Sequence, residues 1–152
     1  MDVYTLTKFF HVLFAIVAFG WNTTYGFWLA RAARQPKEIQ LFTLKNIKLM
    51  DDRIANPVYG LLLLSGLFMV LNAGLPLTTR WIASALVLYA IALLMAFLLI
   101  TPNFRKALAA LETEGPEGPT YKAAMARGRV LGPLIGVVVL AIVFLMVTKP
   151  GA

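Results

Sequence analysis

Four stretches of the chain carry no Asp, Glu, Lys or Arg: 22 residues from Phe9 to Ala30, 26 from Ile54 to Thr79, 24 from Trp81 to Phe104 and 19 from Val130 to Thr148. A helix needs about 20 apolar residues to cross the ~30 Å hydrocarbon layer of a bilayer, so each run is long enough to span. Inside that layer the backbone must satisfy its own hydrogen bonds, which predicts a helix for each run. Strands of a membrane barrel would alternate over about 10 residues, and these runs do not alternate. The expected fold is all-α: one four-transmembrane-helix domain over residues 1–152, with spans at about 6–30, 54–74, 81–103 and 130–148. Ala30-Arg31-Ala32 resembles a leader cleavage site. The first run nevertheless exceeds the ~7–15 residues of a signal-peptide core, and Asp2 weakens the basic flank that such a leader needs. It is read as a retained span.

The segments between the runs are patterned too. After Pro36, which suits the first turn of a helix, Ile39, Phe42, Ile47, Met50 and Ile54 recur at near-helical spacing. The pattern predicts one long helix from Lys37 to Asn72, half of it beyond the membrane, kinked at Asn56-Pro57 because Pro57 lacks an N–H. Its amphipathic first half either meets lipid or a partner, or packs on the segment joining the third and fourth spans. Asn72 to Pro76 reads as a short turn, and Glu112 to Pro119, rich in Gly, Pro and Glu, as a loop. Gly128, Gly132 and Gly136 fall on one helix face and predict close packing of the fourth span within the bundle, with dimerisation as the alternative.

Composition sharpens this picture. Hydrophobic residues make up 60% and charged residues 14%, against roughly 25% charged in a soluble domain. The absence of cysteine excludes disulfides, thiolate metal sites and cysteine nucleophiles, and a single histidine excludes a multi-histidine zinc site. Eleven of the fourteen Lys and Arg residues lie in two segments, Arg31 to Arg53 and Arg105 to Arg129. Such loops stay in the cytoplasm, so both termini are expected outside. The net charge of +7 then fits anionic lipid rather than nucleic acid, for which no motif is present.

His11 carries the candidate chemistry, because an ionisable residue within a span points to function. Ala15, Ala18, Asn22 and Tyr25 continue its face. His11 could ligate a metal or haem, or it could hydrogen-bond a neighbouring helix, for instance at Asn72 or Tyr89. Lys8 lies one turn before it. Arg80 and Lys149 lie at the same end, where they would either meet haem propionates or snorkel. Met69 is the methionine placed to act as a sixth ligand. Asp51-Asp52-Arg53 reads as a solvated helix face with an ion pair. No carboxylate falls in mid-membrane, which argues against a transporter. No phosphate loop or H-E-x-x-H motif is present.

Lys8-Phe9-Phe10-His11, Arg53-Ile54 followed by Pro57, Arg129 to Pro133, and Val147-Thr148-Lys149-Pro150 together resemble the HemJ-type membrane proteins. Trp81 and Thr101-Pro102 look more like a related bacterial family of predicted four-span integral membrane proteins of unassigned activity, where the chain is placed. CopD-like copper proteins are a more distant likeness. The resemblance implies a multi-pass protein of the bacterial inner membrane, with His11 as a haem b ligand and polar roles for Lys8, Arg53 and Arg129. The function expected is a small membrane binding or accessory protein, holding haem b or serving as a subunit of a larger complex or homo-oligomer. The alternative is a HemJ-like protoporphyrinogen oxidase. The charge asymmetry generates a direct test: tags beside Asp2 and at the C-terminal end should be accessible from outside, and a tag within 112–119 only from the cytoplasm. A cytoplasmic C-terminal tag would refute four spans with external ends.

Overall fold

A computed structural model describes residues 2–151. Its helices are α1 (Val3–Ala32), α2 (Lys37–Met50), α3 (Asn56–Asn72), α4 (Arg80–Met95), α5 (Thr101–Thr113) and α6 (Pro119–Thr148). α2 and α3 run into one another through a π-helical turn, Asp51–Ala55, and α4 and α5 through another, Ala96–Ile100. The described chain is therefore four long helices of 30, 36, 34 and 30 residues, each apolar enough to cross a membrane. The second has the predicted limits, Lys37–Asn72. At 1.5 Å per residue such helices measure roughly 45–54 Å, well beyond the hydrocarbon layer.

Both π-turns end one residue before a proline-bearing turn. Asn56 N–H reaches back five residues to the Asp51 carbonyl, and Thr101 N–H to that of Ala96. Pro57 and Pro102 have no N–H to give, and in a regular helix their rings would crowd the carbonyl four residues back. Widening the turn by one residue relieves that crowding without breaking the helix. The irregularity predicted at Asn56-Pro57 is thus a π-turn. The second, ahead of Pro102, was not foreseen.

Within the spans, α1 packs on α3 and α4 on α6, and α1 touches α6. α3 and α4 meet through a side chain, Tyr89, whose hydroxyl donates to the Tyr59 carbonyl at 2.7 Å. Phe9, Ile16, Leu64, Leu71, Leu98, Val137, Phe144 and Val147 all remain exposed, as side chains that face lipid would. The end that carries the basic segments is built differently. There Leu44 of α2, Ala107, Ala110 and Leu111 of α5, and Tyr121 and Ala124 of α6 form a buried core, flanked by Leu29, Leu41, Phe104, Leu108 and Met125. The α2 extension therefore packs on the segment joining the third and fourth spans.

The stripe that α2 buries is Gln40, Leu44 and Ile47, not the Ile39 and Phe42 of the sequence reading, which are 46% and 70% exposed. Polar pairs decide between the two apolar stripes. Tyr121 donates to Gln40 Oε1 at 2.8 Å in the core, and Gln40 Nε2 donates to the Gln35 carbonyl at 2.8 Å. Lys37 donates to the Glu112 carbonyl at 2.7 Å, and Lys45 pairs with the Glu112 carboxylate at 2.8 Å. The Glu114 carboxylate accepts from Thr120 N–H at 3.0 Å and so caps the start of α6. Gly118 permits this, since a Cβ there would lie 2.4 Å from Glu114 Cβ.

The glycine face of α6 corrects a second expectation. Gly128 approaches Asn103, but Cβ atoms added at Gly132 or Gly136 would meet nothing within 4 Å. α6 instead turns Leu131, Ile135, Val138, Ile142 and Leu145 partly inward. Spacing put the glycines on one face but did not say which way that face points. Gly132→Leu should accordingly leave the unfolding temperature in detergent unchanged. Leu111→Ala, at a fully buried position, should lower stability by about 2–5 kcal/mol. The reverse order in a thermal-shift comparison would contradict this packing.

Candidate functional site

α1 begins at Asp2, whose carboxylate accepts from Thr5 N–H at 2.6 Å. That bond caps the helix and holds the Asp2 carboxyl below the ordinary carboxylate range. Two turns further on, His11 faces α3, with its Nδ1 2.9 Å from Ser65 Oγ. The Ser65 hydroxyl donates to the Leu61 carbonyl at 2.7 Å, as a serine inside an apolar helix commonly does. With its one hydrogen committed there, Ser65 Oγ accepts from His11 Nδ1–H. In that arrangement the proton sits on Nδ1 and the lone pair on Nε2; if the Ser65 hydrogen turns to the ring instead, the two nitrogens exchange roles.

Gly66 makes room for the ring. A Cβ at that position would stand 2.9 Å from His11 Cε1 and 3.5 Å from Nδ1. The rest of the predicted face is also turned inward: Ala18 is buried, and Ala15, Asn22 and Tyr25 are half-buried. The partner of His11 is neither Asn72, which is exposed at the end of α3, nor Tyr89, which is bonded to Tyr59.

The other candidate residues are only partly gathered. Lys8 is exposed on α1, one turn towards the end that carries the termini, and Met69 is half-buried on α3, one turn beyond Ser65. Arg80 opens α4, which packs on α6, and its stem lies beside Gly151. It is thus associated with the α4–α6 pair. Lys149 stacks over the Trp81 ring at 5.5 Å. Two shallow surface grooves run along α1, one lined by Thr5, Lys8, Phe9, Val12, Leu13 and Ile16, the other by Phe27, Ala30, Arg31, Arg34 and Gln35. His11 lines neither.

A polar group that the sequence reading passed over lies at the other end of the α1–α3 seam. Asp52 does form the expected ion pair, with Lys48. Asp51, read as part of the same solvated face, is half-buried instead, on a turn that packs against α1. The π-turn that begins at Asp51 changes the direction in which the helix presents it. The Tyr25 hydroxyl is shielded from solvent and has no hydrogen-bond partner among the described residues.

Four long apolar helices, paired as α1 with α3 through a histidine–serine contact and α4 with α6, and joined at a basic end, define an all-helical integral membrane protein. The chain matches the family described as "Predicted integral membrane protein (DUF2269)" over residues 5–150, and it belongs to that family. No curated protein and no solved structure matches the chain significantly.

The contact between Gly66 and His11 can be tested by crowding it. Gly66→Ala should destabilise the protein by about 1–3 kcal/mol, and the loss should largely vanish in a His11→Ala background, because the two changes share one contact. Additive effects in the double variant would show that the residues do not touch.

Proposed function

We propose that this protein is a small membrane binding or accessory protein in which His11 is the ligand-bearing side chain and haem b the group it holds. The observation that supports this reading is the contact of His11 Nδ1 with Ser65 Oγ at 2.9 Å. With the Ser65 hydrogen on the Leu61 carbonyl, Nδ1–H would donate to Ser65 and Nε2 would be the unprotonated nitrogen that a metal requires. Orientation of a ligating imidazole through its other nitrogen is the usual arrangement at metal centres. The HemJ-type resemblance favours haem over a bare metal ion.

The residues present would supply one imidazole ligand and its support. His11 would bind the iron, Ser65 and Gly66 would fix the ring plane, and Lys8 would meet a propionate. Arg80 is left out of this set, because α4 packs on α6. Bound haem would supply one-electron chemistry whose potential depends on the axial ligands and their surroundings. With one histidine in the chain, a second histidine ligand would have to come from another subunit. Met69 or water would otherwise complete the iron. Oxidation of protoporphyrinogen is not part of the proposal, since nothing in the geometry of the site favours it.

The test is optical. Protein expressed with ample haem should show a Soret band that shifts on reduction, and His11→Ala should abolish it while the protein remains inserted. Met69→Leu should alter the reduced spectrum only if that sulfur is a ligand. A colourless wild-type protein would overturn the haem reading. The His11–Ser65 bond would then serve to join two helices, and His11→Ala would lower the unfolding temperature instead.

A further inference from the structure

We propose that the groove at the basic end of α1 binds one anionic phospholipid, whose phosphate lies between Arg31 and Arg34. The site is separate from His11. Arg31 lies 20 residues further along the same helix, about 30 Å at 1.5 Å per residue.

The cavity itself gathers the residues. Phe27, Ala30, Arg31, Arg34 and Gln35 line one groove of about 400 Å³, a volume in the range of small-molecule sites. Residues 27, 30 and 31 are three and four apart and share one face of α1. Arg34 and Gln35 follow on the turn that closes the helix. In that turn Ala33 N–H bonds the Leu29 carbonyl and Gln35 N–H bonds the Ala32 carbonyl. Two of the carbonyls that a helix end would otherwise turn towards an anion are thereby satisfied.

The groove is divided in its chemistry. Phe27 and Ala30 end the charge-free run Phe9–Ala30, and the arginines begin where it stops. Beyond Phe27, the exposed positions Ile16, Gly20 and Thr23 continue the same face into the hydrocarbon layer. A Cβ at Gly20 would meet nothing within 4 Å, and the Thr23 hydroxyl donates to the Phe19 carbonyl of its own helix. An acyl chain can therefore lie along this face while the polar head stays in the groove. Trp28, exposed and edge-on to the Phe27 ring at 5.6 Å, is the kind of side chain that sits at headgroup level. A soluble anion would leave the apolar half of the groove uncovered.

Charge selects the head. Several lysines of the basic end are already engaged: Lys37 on the Glu112 carbonyl, Lys45 with the Glu112 carboxylate, Lys48 with Asp52 and Lys122 with Glu117. Arg31 and Arg34 enter no ion pair among the described residues, and no carboxylate lines their groove. Two unneutralised guanidinium groups offer the planar, multiply donating forks that match phosphate oxygens. A zwitterionic head would bring its own cation into the same field. A head with net negative charge, such as phosphatidylglycerol, is the occupant that complements it.

The experiment uses the purified full-length chain in an uncharged detergent at physiological ionic strength. Thermal unfolding is followed in separate titrations with phosphatidylglycerol, phosphatidylcholine and inorganic phosphate. Phosphatidylglycerol should raise the unfolding temperature saturably, and the other two should not. The double variant Arg31→Gln/Arg34→Gln should weaken the apparent affinity for phosphatidylglycerol about tenfold or more. Arg105→Gln/Lys106→Gln removes the same charge at exposed positions of α5, a helix that makes no contact with α1 among the described residues. It should change that affinity less than about twofold, because distant exposed charges are screened. Native mass spectrometry should retain one phosphatidylglycerol per wild-type chain and lose it in the Arg31/Arg34 double variant, a readout that does not depend on the variant's own unfolding temperature. Equal responses to the two lipids, or stabilisation by inorganic phosphate alone, would overturn the proposal. So would wild-type binding by the Arg31/Arg34 double variant, or equal losses in the two double variants, which would mean diffuse attraction to the whole basic end.

Discussion

The four long helices cross from one solvent into another, and the change of solvent governs how each half is held. In lipid, burying one apolar side chain against another gains no hydrophobic free energy, because the acyl chains are equally apolar. The spanning halves accordingly expose most of their large side chains and rely on close approach and a few polar contacts: His11 against Ser65 and Gly66, and Tyr89 on the Tyr59 carbonyl. Beyond the membrane the hydrophobic effect returns, at roughly 25 cal/mol per Å² of apolar surface removed from water. There Leu44, Leu111 and Tyr121 make a conventional core, with Gln40 satisfied inside it.

The two π-turns fall between these regimes. Pro57 and Pro102 sit on neighbouring long helices, each placed where a spanning segment continues into the packed end. Each replaces a potential break with a widened turn, so α2–α3 and α4–α5 remain continuous. The widening also turns the flanking side chains. One extra residue in a turn rotates the helix on one side of it by about 100° relative to the helix on the other. On this turn Asp51 is half-buried while Asp52 is exposed and meets Lys48.

How much of this was legible from the residues depended on whether the signal was local. The spans could be read because charge is excluded from whole runs, and Lys37–Asn72 because its ends carry Pro36 and the Asn72 turn. The inward face of α1 was legible in the small residues beyond His11. Ser65 was not, because a lone serine in an apolar run bonds its own helix and gives no sign of the register between α1 and α3. Membership of the family over residues 5–150 agrees with the four-span reading, while the HemJ likeness rests on short motifs alone. The glycines of α6 were read on the wrong side, and the α2 stripe was right at Ile47 but wrong at Ile39 and Phe42, for one shared reason. Periodicity defines a face, and only the neighbouring helix defines its direction. Asp51 was missed because nothing in the local pattern announces a five-residue turn.

The pairing of α1 with α3 and of α4 with α6 has a mechanical consequence. The pairs are clasped at one end by the water-exposed core, while in the layer they share the α1–α6 contact and the Tyr89 bond. At the opposite end the 73–79 turn ties α3 to α4, so the two pairs are joined at both ends. Relative displacement of the pairs is then greatest midway through the layer, like a seam stitched at top and bottom, where the α1–α6 contact and the Tyr89 bond are the cross-links that resist it.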